Sequence, residues 1–164
     1  MKRVELILDT DVASFMFREC ERGAAYSELI GESRAGITLL SIAELRAGVV
    51  LKNWGPQKIA SLDAFLSRFL LIEASSEIAN ISGGIRACCE QVGRAVSWPD
   101  AWIAATALWL DVPLVAHDRD LEGIPGLRVL TVHKHWQVRE EGSILSEGEP
   151  LWLGERCVGA RYAA

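Results

Sequence analysis

The chain lacks several features that would place it in a particular class of protein. No apolar run approaches the roughly 18 residues that a membrane-spanning helix needs. The first residues lead directly into a predicted strand, which leaves no room for the apolar core of a signal peptide. The four cysteines include no Cys-x-x-Cys pair, so the spacing typical of zinc sites is missing. We therefore expect a soluble, cytoplasmic protein with no membrane partner.

An excess of positive charge is also missing. The 17 basic and 22 acidic residues give a formal net charge of −5. This balance argues against a protein that coats long duplex DNA, because such proteins bind phosphates through many basic side chains. It does not exclude a nuclease, because acidic residues clustered at a metal site make the net charge more negative until the ion binds.

The pattern of apolar residues predicts an α/β fold. The 164 residues suffice for one domain with a full core. Short apolar runs without helical spacing predict five strands, at residues 4–8, 37–40, 70–72, 112–116 and 128–132. The intervening segments predict helices at about 12–20, 24–34, 41–52, 57–69, 76–92 and 97–110. Strands that alternate with helices predict a parallel sheet of about five strands covered on both faces, a three-layer α/β/α architecture.

The C-terminal segment differs from the rest of the chain. Residues 137–164 are rich in glutamate, carry four glycines and Pro150, and show no clear periodicity. We therefore predict one domain over residues 1–136 and a tail of unknown structure over 137–164. A loose tail, an edge hairpin around residues 147–150 and vector-derived sequence are all compatible with this composition.

Acidic residues follow two of the predicted strands. Asp9 comes directly after the strand at 4–8, and Asp118 and Asp120 follow the strand at 112–116. In open parallel sheets the carboxyl ends of the strands face the crevice where ligands bind. These acids could therefore lie at a site, or each could simply form a turn or cap the next helix.

Two further acidic residues lie near the starts of predicted helices. Glu44 and Asp100 each follow a serine by three residues, Ser41 and Ser97, which is the pattern of a capping box. Each acid also shares a helical face with small apolar residues. A carboxylate on such a face is costly to bury unless it is paired or bound to a cation. The pattern is thus compatible with capping and with a site.

Two strand ends and two helix starts can converge on one crevice of a parallel sheet. Carboxylates brought together there would repel one another, and a hard divalent cation would offset that repulsion. Ligation by oxygen alone, without histidine or cysteine, suits Mg²⁺ or Mn²⁺. We therefore predict that four or five carboxylates meet in one metal-binding pocket: Asp9, Glu44 and Asp100, with Asp118 or Asp120.

Four short segments resemble the motif blocks of a known family. They are Leu-Asp-Thr-Asp-Val at 8–12, Ser-Ile-Ala-Glu-Leu at 41–45, Asp-Ala-Trp-Ile-Ala-Ala-Thr-Ala at 100–107 and Leu-Val-Ala-His-Asp-Arg-Asp at 114–120. In this order they resemble the blocks of PIN domains, and within that family the VapC-type toxins, the ribonuclease half of toxin–antitoxin pairs. The resemblance spans residues 4–132, and its most specific block is the third.

The resemblance implies a function and a set of site residues. It implies a Mg²⁺-dependent endoribonuclease, with Mn²⁺ possible, that cleaves RNA phosphodiester bonds and is inhibited by a cognate antitoxin. It maps the acidic positions of the family onto four residues of this chain and places two hydroxyls beside the first of them. These positions are Asp9, Glu44, Asp100 and Asp118, with Thr10 and Ser14.

The chain departs from the family pattern at three places. Asp11 stands where the family often has asparagine, which adds an acid near the site or at the start of the first helix. The last block reads Ala-His-Asp at 116–118 where Thr-Asn-Asp is common, so either Asp118 or Asp120 could be the fourth acid. The segment after about Trp136 lies outside the pattern.

Apolar side chains near helix ends also bear on partners. Phe15, Phe17 and Trp54 lie where burial by the sheet is not assured. Exposed apolar patches on soluble chains usually mark partner sites. Together with the resemblance, they predict an antitoxin partner and a homodimer.

Two other functions are compatible with parts of the sequence. Asp9-x-Asp11 after an apolar strand fits the nucleophile loop of a haloacid-dehalogenase-like phosphohydrolase, with Ser41 as a second motif. That alternative leaves Glu44 and Asp100 unexplained and lacks a well-placed lysine. A PIN fold without catalysis, serving only to bind a partner, is the other. Changing the acids to alanine would distinguish it from a nuclease.

Overall fold

The computed structural model describes residues 3–132 and the strand at 138–141. The strands are β1 (Leu6–Leu8), β2 (Ala35–Thr38), β3 (Leu70–Ile72), β4 (Leu114–Val115), β5 (Val129–Val132) and β6 (Val138–Glu141). The helices are α1 (Thr10–Phe17), α2 (Glu21–Ile30), α3 (Leu39–Leu51), α4 (Pro56–Leu66), α5 (Ser76–Gln91) and α6 (Trp98–Leu110), with a 3₁₀ turn at Arg119–Leu121.

The strands form one sheet in the order β3-β2-β1-β4-β5-β6. The first five are parallel, and β6 runs antiparallel to β5. The predicted parallel sheet of about five strands is confirmed. The chain builds outward from β1 to β2 and β3 on one side, then crosses to β4 and β5 on the other. The strand order therefore reverses between β1 and β4, the kind of position where open α/β sheets bind ligands.

Two hydrophobic clusters cover the two faces of the sheet. Ile7 of β1 packs with Ile78 of α5 and Ile103 of α6 on one face. Leu8 of β1 packs with Tyr26 of α2, together with residues of α1 and α4, on the other. Successive side chains of a strand point to opposite faces, so this central strand is buried on both sides. The predicted three-layer architecture is confirmed.

The break between the first two helices lies elsewhere than predicted. The sequence predicts that Gly23 ends the first helix, but α1 ends at Phe17 and Gly23 lies inside α2. A Cβ atom at Gly23 would lie 2.1 Å from the carbonyl oxygen of Phe15. Glycine is therefore needed here because α2 approaches the backbone of α1 closely, a tertiary requirement that resembles a helix breaker in the sequence.

The sheet extends beyond the predicted domain boundary at residue 136. β6 lies in the segment predicted as a tail and pairs with β5 from Val129↔Glu141 to Val132↔Val138. The suggested hairpin at 147–150 lies outside the described residues, and the division into 1–136 and 137–164 stays a prediction. Among the helices described, none is both long and apolar enough to cross a membrane.

Candidate active site

Asp9 lies at the carboxyl end of the central strand, between two elements that hold it. Its backbone N–H donates to the carbonyl of Val115 at 3.0 Å, continuing the β1–β4 pairing. Its side chain is the N-cap of α1, where Oδ1 accepts a hydrogen bond from the N–H of Thr10 at 2.7 Å. The residue is only 5% exposed. Asp9 is therefore a helix cap and also a buried carboxylate at the ligand-binding edge.

The surroundings of Asp9 disfavour its negative charge. Burial raises the pKa of this carboxyl group to about 7, and the hydrogen bond from Thr10 only partly opposes the shift. The charges of Asp11, Asp100 and Glu44 raise the pKa further. The site is thus a cluster of acids whose negative charges disfavour one another.

Glu44 reaches this cluster from the second turn of α3. Of the two alternatives that the sequence left open for Glu44, a capping box with Ser41 as the N-cap is not what the structure has. Thr38 is the N-cap, and its hydroxyl accepts from the N–H of Ser41 at 3.1 Å. Glu44 instead accepts a hydrogen bond from the Thr10 hydroxyl, with 2.5 Å between Oγ1 and Oε2. Its contact with the residue beside Asp9 favours the site interpretation over capping.

Asp100 belongs to a helix cap and also acts electrostatically on Asp9. Ser97 is the N-cap of α6, as predicted, and its Oγ accepts from the N–H of Asp100 at 3.2 Å. The Ser97 hydroxyl in turn donates to the Asp100 carboxylate at 2.5 Å. Its charge nevertheless acts on Asp9 across the site. Capping therefore fixes the position of this acid and does not argue against its place in the candidate site.

Asp118 is the most exposed of the four predicted acids. It follows β4, the strand that neighbours β1, and its side chain is exposed. It caps the short 3₁₀ turn, with Oδ1 accepting from the N–H of Asp120 at 2.9 Å. Its charge is not among those that shift the pKa of Asp9. The choice between Asp118 and Asp120 as fourth acid stays a prediction.

The residues present have the donor chemistry that a hard cation prefers. The acids that act on one another offer only carboxylate oxygens, the ligands favoured by Mg²⁺ and Mn²⁺. Among residues 3–132, no three acidic, histidine or cysteine side chains are already gathered closely enough to enclose an ion. The repulsion among the acids around Asp9 is nonetheless what a divalent cation would offset. The donor set therefore fits such an ion.

Two further residues lie around this cluster. The sequence indicates Asp11 as an extra acid near the site or at the start of the first helix, and its charge acts directly on Asp9. Tyr26 of α2 gave no signal, because a buried aromatic residue on a helix is typical of a core. Its hydroxyl lies 2.8 Å from Nδ1 of His117, beside Asp118. Of the two predicted hydroxyls, that of Thr10 lies in the cluster through its bond to Glu44.

We predict that Asp9→Asn stabilises the metal-free protein increasingly as the pH rises from 5 to 8. The folded-state pKa of about 7 lies above the ordinary value of 3.8. Between these values the unfolded chain has released a proton that the folded chain retains, so the stability of the wild type falls as pH rises. From pH 5 to 8, the free energy of unfolding of the variant relative to that of the wild type should rise by about 2–3 kcal/mol. Urea unfolding in EDTA measures this difference. Asparagine can still accept the bond from Thr10.

Asp111→Asn is the matched control, because Asp111 is exposed and lies at the C-terminal end of α6. Asparagine is also tolerated at its positive φ of 52°. Its effect should be constant across the same pH range. A pH-independent effect of Asp9→Asn would contradict the raised pKa.

Comparisons with known proteins identify the family of the chain. A family model described as the PIN domain matches residues 6–127. Ribonuclease VapC5 from Mycobacterium tuberculosis (strain ATCC 25618 / H37Rv) is 28% identical over 123 residues, which cover 73% of this chain and 87% of that protein.

Solved structures show the same fold. A chain of VapBC2 from Rickettsia felis, bound to a DNA fragment from its promoter, is 25% identical with a TM-score of 0.69, over 78% of this chain and 98% of that one. A chain of FitAcB from Neisseria gonorrhoeae is 25% identical with a TM-score of 0.65, over 76% and 95%. A chain of VapBC-5 from Mycobacterium tuberculosis is 25% identical with a TM-score of 0.59, over 77% and 97%.

The family match covers all four motif blocks and most of the chain. It confirms the resemblance identified from the motifs and speaks against the haloacid-dehalogenase alternative. The chain belongs to the PIN domain family.

Proposed function

We propose that the chain is a VapC-type endoribonuclease, the toxin of a toxin–antitoxin pair, that cleaves RNA phosphodiester bonds with a divalent cation. The observation that carries this proposal is the buried carboxylate of Asp9, whose pKa is raised by burial and by the charges of three other carboxylates. A protein that keeps such a costly arrangement has a use for the charge. The similarity to Ribonuclease VapC5 supports RNA as the substrate.

The cation would be Mg²⁺, with Mn²⁺ as the possible alternative. Asp9 and Asp100 would be its main ligands, and Glu44 and Asp118 would complete the site. When bound, such a cation stabilises the negative charge that develops on a phosphate during cleavage.

The chain's own contribution is to hold the acids in place before substrate arrives. The N–H of Thr10 fixes the Asp9 carboxylate, and the hydroxyl of the same residue fixes Glu44. Ser97 fixes Asp100 through the helix cap. Groups that are already oriented need not be reorganised during the reaction, and this preorganisation is a large part of electrostatic catalysis.

The proposed partners are a cognate antitoxin and a second copy of the chain. Similar solved structures include VapBC complexes. Phe17 and Trp54, whose burial the sequence left open, are half-buried and pack together with 5.5 Å between their ring centroids. Val50 and Leu51 at the end of α3 are far more open, at 74% and 81% exposed. We assign this end of α3 to the homodimer contact, and we place the activity in the cytoplasm, where its proposed RNA substrate lies.

We expect the purified protein to cleave RNA with Mg²⁺ and to lose this activity in EDTA. Asp9→Asn and Asp100→Asn should each lower the cleavage rate by at least about 100-fold, because loss of a direct ligand should exceed the 10–100-fold typical of outer partners. Gel assays of a defined single-stranded RNA measure this directly.

Asp111→Asn again serves as the control and should cleave at the wild-type rate. An Asp100→Asn protein with a lower melting temperature but intact Mg²⁺-dependent cleavage would show that this acid is only a helix cap. If none of the proteins cleaves RNA, the wild type included, the nuclease proposal is refuted in favour of a PIN fold that only binds a partner.

We also expect the wild type to have twice the 18.0 kDa chain mass in solution. Replacing both Val50 and Leu51 with lysine should give a monomer, because charge replaces exposed apolar surface. Lysine near the C-terminus of a helix suits the helix dipole, so α3 should persist. Light scattering after gel filtration measures the mass.

The control variant is Leu71→Lys on β3. Leu71 is 49% exposed, and this variant should remain dimeric. A monomeric wild type or a dimeric double variant would refute this contact.

A further inference from the structure

The pairing of β4 with β5 changes at the edge of the sheet nearest the site. The N–H of Leu114 donates to Arg128 O at 2.8 Å, and the N–H of Ala116 donates to Leu130 O at 3.1 Å. In a parallel ladder the bonds are evenly spaced, so the next bond would run from the N–H of Val132 to Ala116 O. Within residues 3–132 that bond is not formed.

The hydroxyl of Tyr26 occupies the place of the missing bond. It donates to Ala116 O at 3.2 Å, and the N–H of Val132 points to the same hydroxyl at 3.5 Å. The carbonyl can only accept and the N–H can only donate, whereas a phenol hydroxyl can do both. Tyr26 is fully buried, so its bridge replaces water as the partner of both backbone groups.

The same hydroxyl also contacts the segment that follows β4. It lies 2.8 Å from Nδ1 of His117, and the rings of Tyr26 and His117 meet edge to face with centroids 5.9 Å apart. His117 in turn packs edge to face against Phe15 of α1. The residue immediately before Asp118 is therefore held from α1 and α2 on one side of the sheet.

A second anchor lies at the other end of this segment. Arg94, in the connection between α5 and α6, donates to Asp120 O at 2.6 Å and to Glu122 O at 2.8 Å. Between the anchors, Asp118 holds its own turn by accepting from the N–H of Asp120. The exposed Asp118 carboxylate thus lies on a short segment that is fixed at both ends, and Tyr26 holds the end nearer to Asp9.

We propose that Tyr26 is a positioning residue for the nuclease reaction: its hydroxyl replaces the last hydrogen bond between β4 and β5 and thereby sets the path of the segment that carries Asp118. The proposal rests on the proposed function, in which Asp118 is the fourth acid of the site. Tyr26 itself takes no part in the chemistry. It acts by keeping Ala116 and His117 where the next residue reaches the site.

A double-mutant cycle on RNA cleavage tests whether Tyr26 acts through Asp118. Tyr26→Phe should lower kcat by about 10-fold with KM unchanged, the lower end of what losing a supporting contact costs. In an Asp118→Asn background the same change should lower kcat by less than about 2-fold, because coupled residues are not additive. Equal losses in the two backgrounds, or a loss confined to KM, would overturn the proposal.

Thr106→Val is the matched control for loss of a buried hydroxyl. Thr106 is fully buried on α6, and its hydroxyl donates only within the helix, to Trp102 O at 2.8 Å. This variant should cleave RNA at the wild-type rate. A loss of kcat as large as that of Tyr26→Phe would show a general effect of core damage and overturn the proposal.

Amide hydrogen exchange of the same full chain separates this inference from the proposed function. The phenylalanine ring of Tyr26→Phe still keeps the two strands apart, so the amide of Val132 loses its acceptor. Exchange should become at least about 10-fold faster at Val132 and Asp120 and stay unchanged at Ala13, whose N–H donates to Asp9 O. Unchanged exchange at Val132 and Asp120 would refute the bridge, even if the wild type cleaves RNA. Faster exchange at these amides in a chain that cleaves no RNA would support the bridge formed by Tyr26 and refute the proposed nuclease activity.

Discussion

The structure depends on the burial of one carboxylate at the end of its central strand. Asp9 is held from β4 by its backbone and from α1 by its side chain, so it cannot move toward solvent without breaking the sheet or the helix cap. One amide hydrogen bond is too little to compensate a charge in that position, and three further acids act on it unfavourably. The fold accordingly supplies a position where a negative charge is strained electrostatically.

Helix capping and site formation use the same side chains. Asp9 caps α1 and Asp100 belongs to the cap of α6, yet both carry charge into one cluster. One carboxylate can serve both purposes, because the N-terminus of a helix favours an anion and its free N–H groups orient the carboxylate. A capping pattern in a sequence is thus not evidence against a site when the capped helix starts at the carboxyl edge of a parallel sheet.

The sequence predicted the layers of the fold better than the contacts at the ends of its elements. The parallel sheet covered on both faces follows from apolar runs that alternate with helices, and the strand at 70–72 was placed as observed. The strand predicted at 37–40 ends instead at Thr38, because that residue caps α3 and Leu39 begins the helix. Because the predicted helix begins at residue 41 and not at Leu39, Glu44 resembles the capping partner of Ser41 in the sequence.

Other features depend on contacts that no local pattern records. Gly23 is required by the approach of α2 to α1, and the role of Tyr26 depends on a gap in pairing between two strands distant in sequence. β6 pairs with β5 through its backbone, in a segment without periodicity. The position of Asp118 relative to the other acids depends on a loop, the kind of segment that patterns predict least well.

Calorimetric titration with Mn²⁺ in buffers of different ionisation enthalpy tests most directly whether the acid cluster is a metal site. An ion that binds at Asp9 must displace the proton that a pKa of about 7 retains. The wild type should therefore release about half a proton per chain at pH 7 and much less at pH 8.5, and Asp9→Asn should release none and bind far more weakly. Binding without proton release, or binding unchanged in Asp9→Asn, would contradict a metal site centred on this carboxylate.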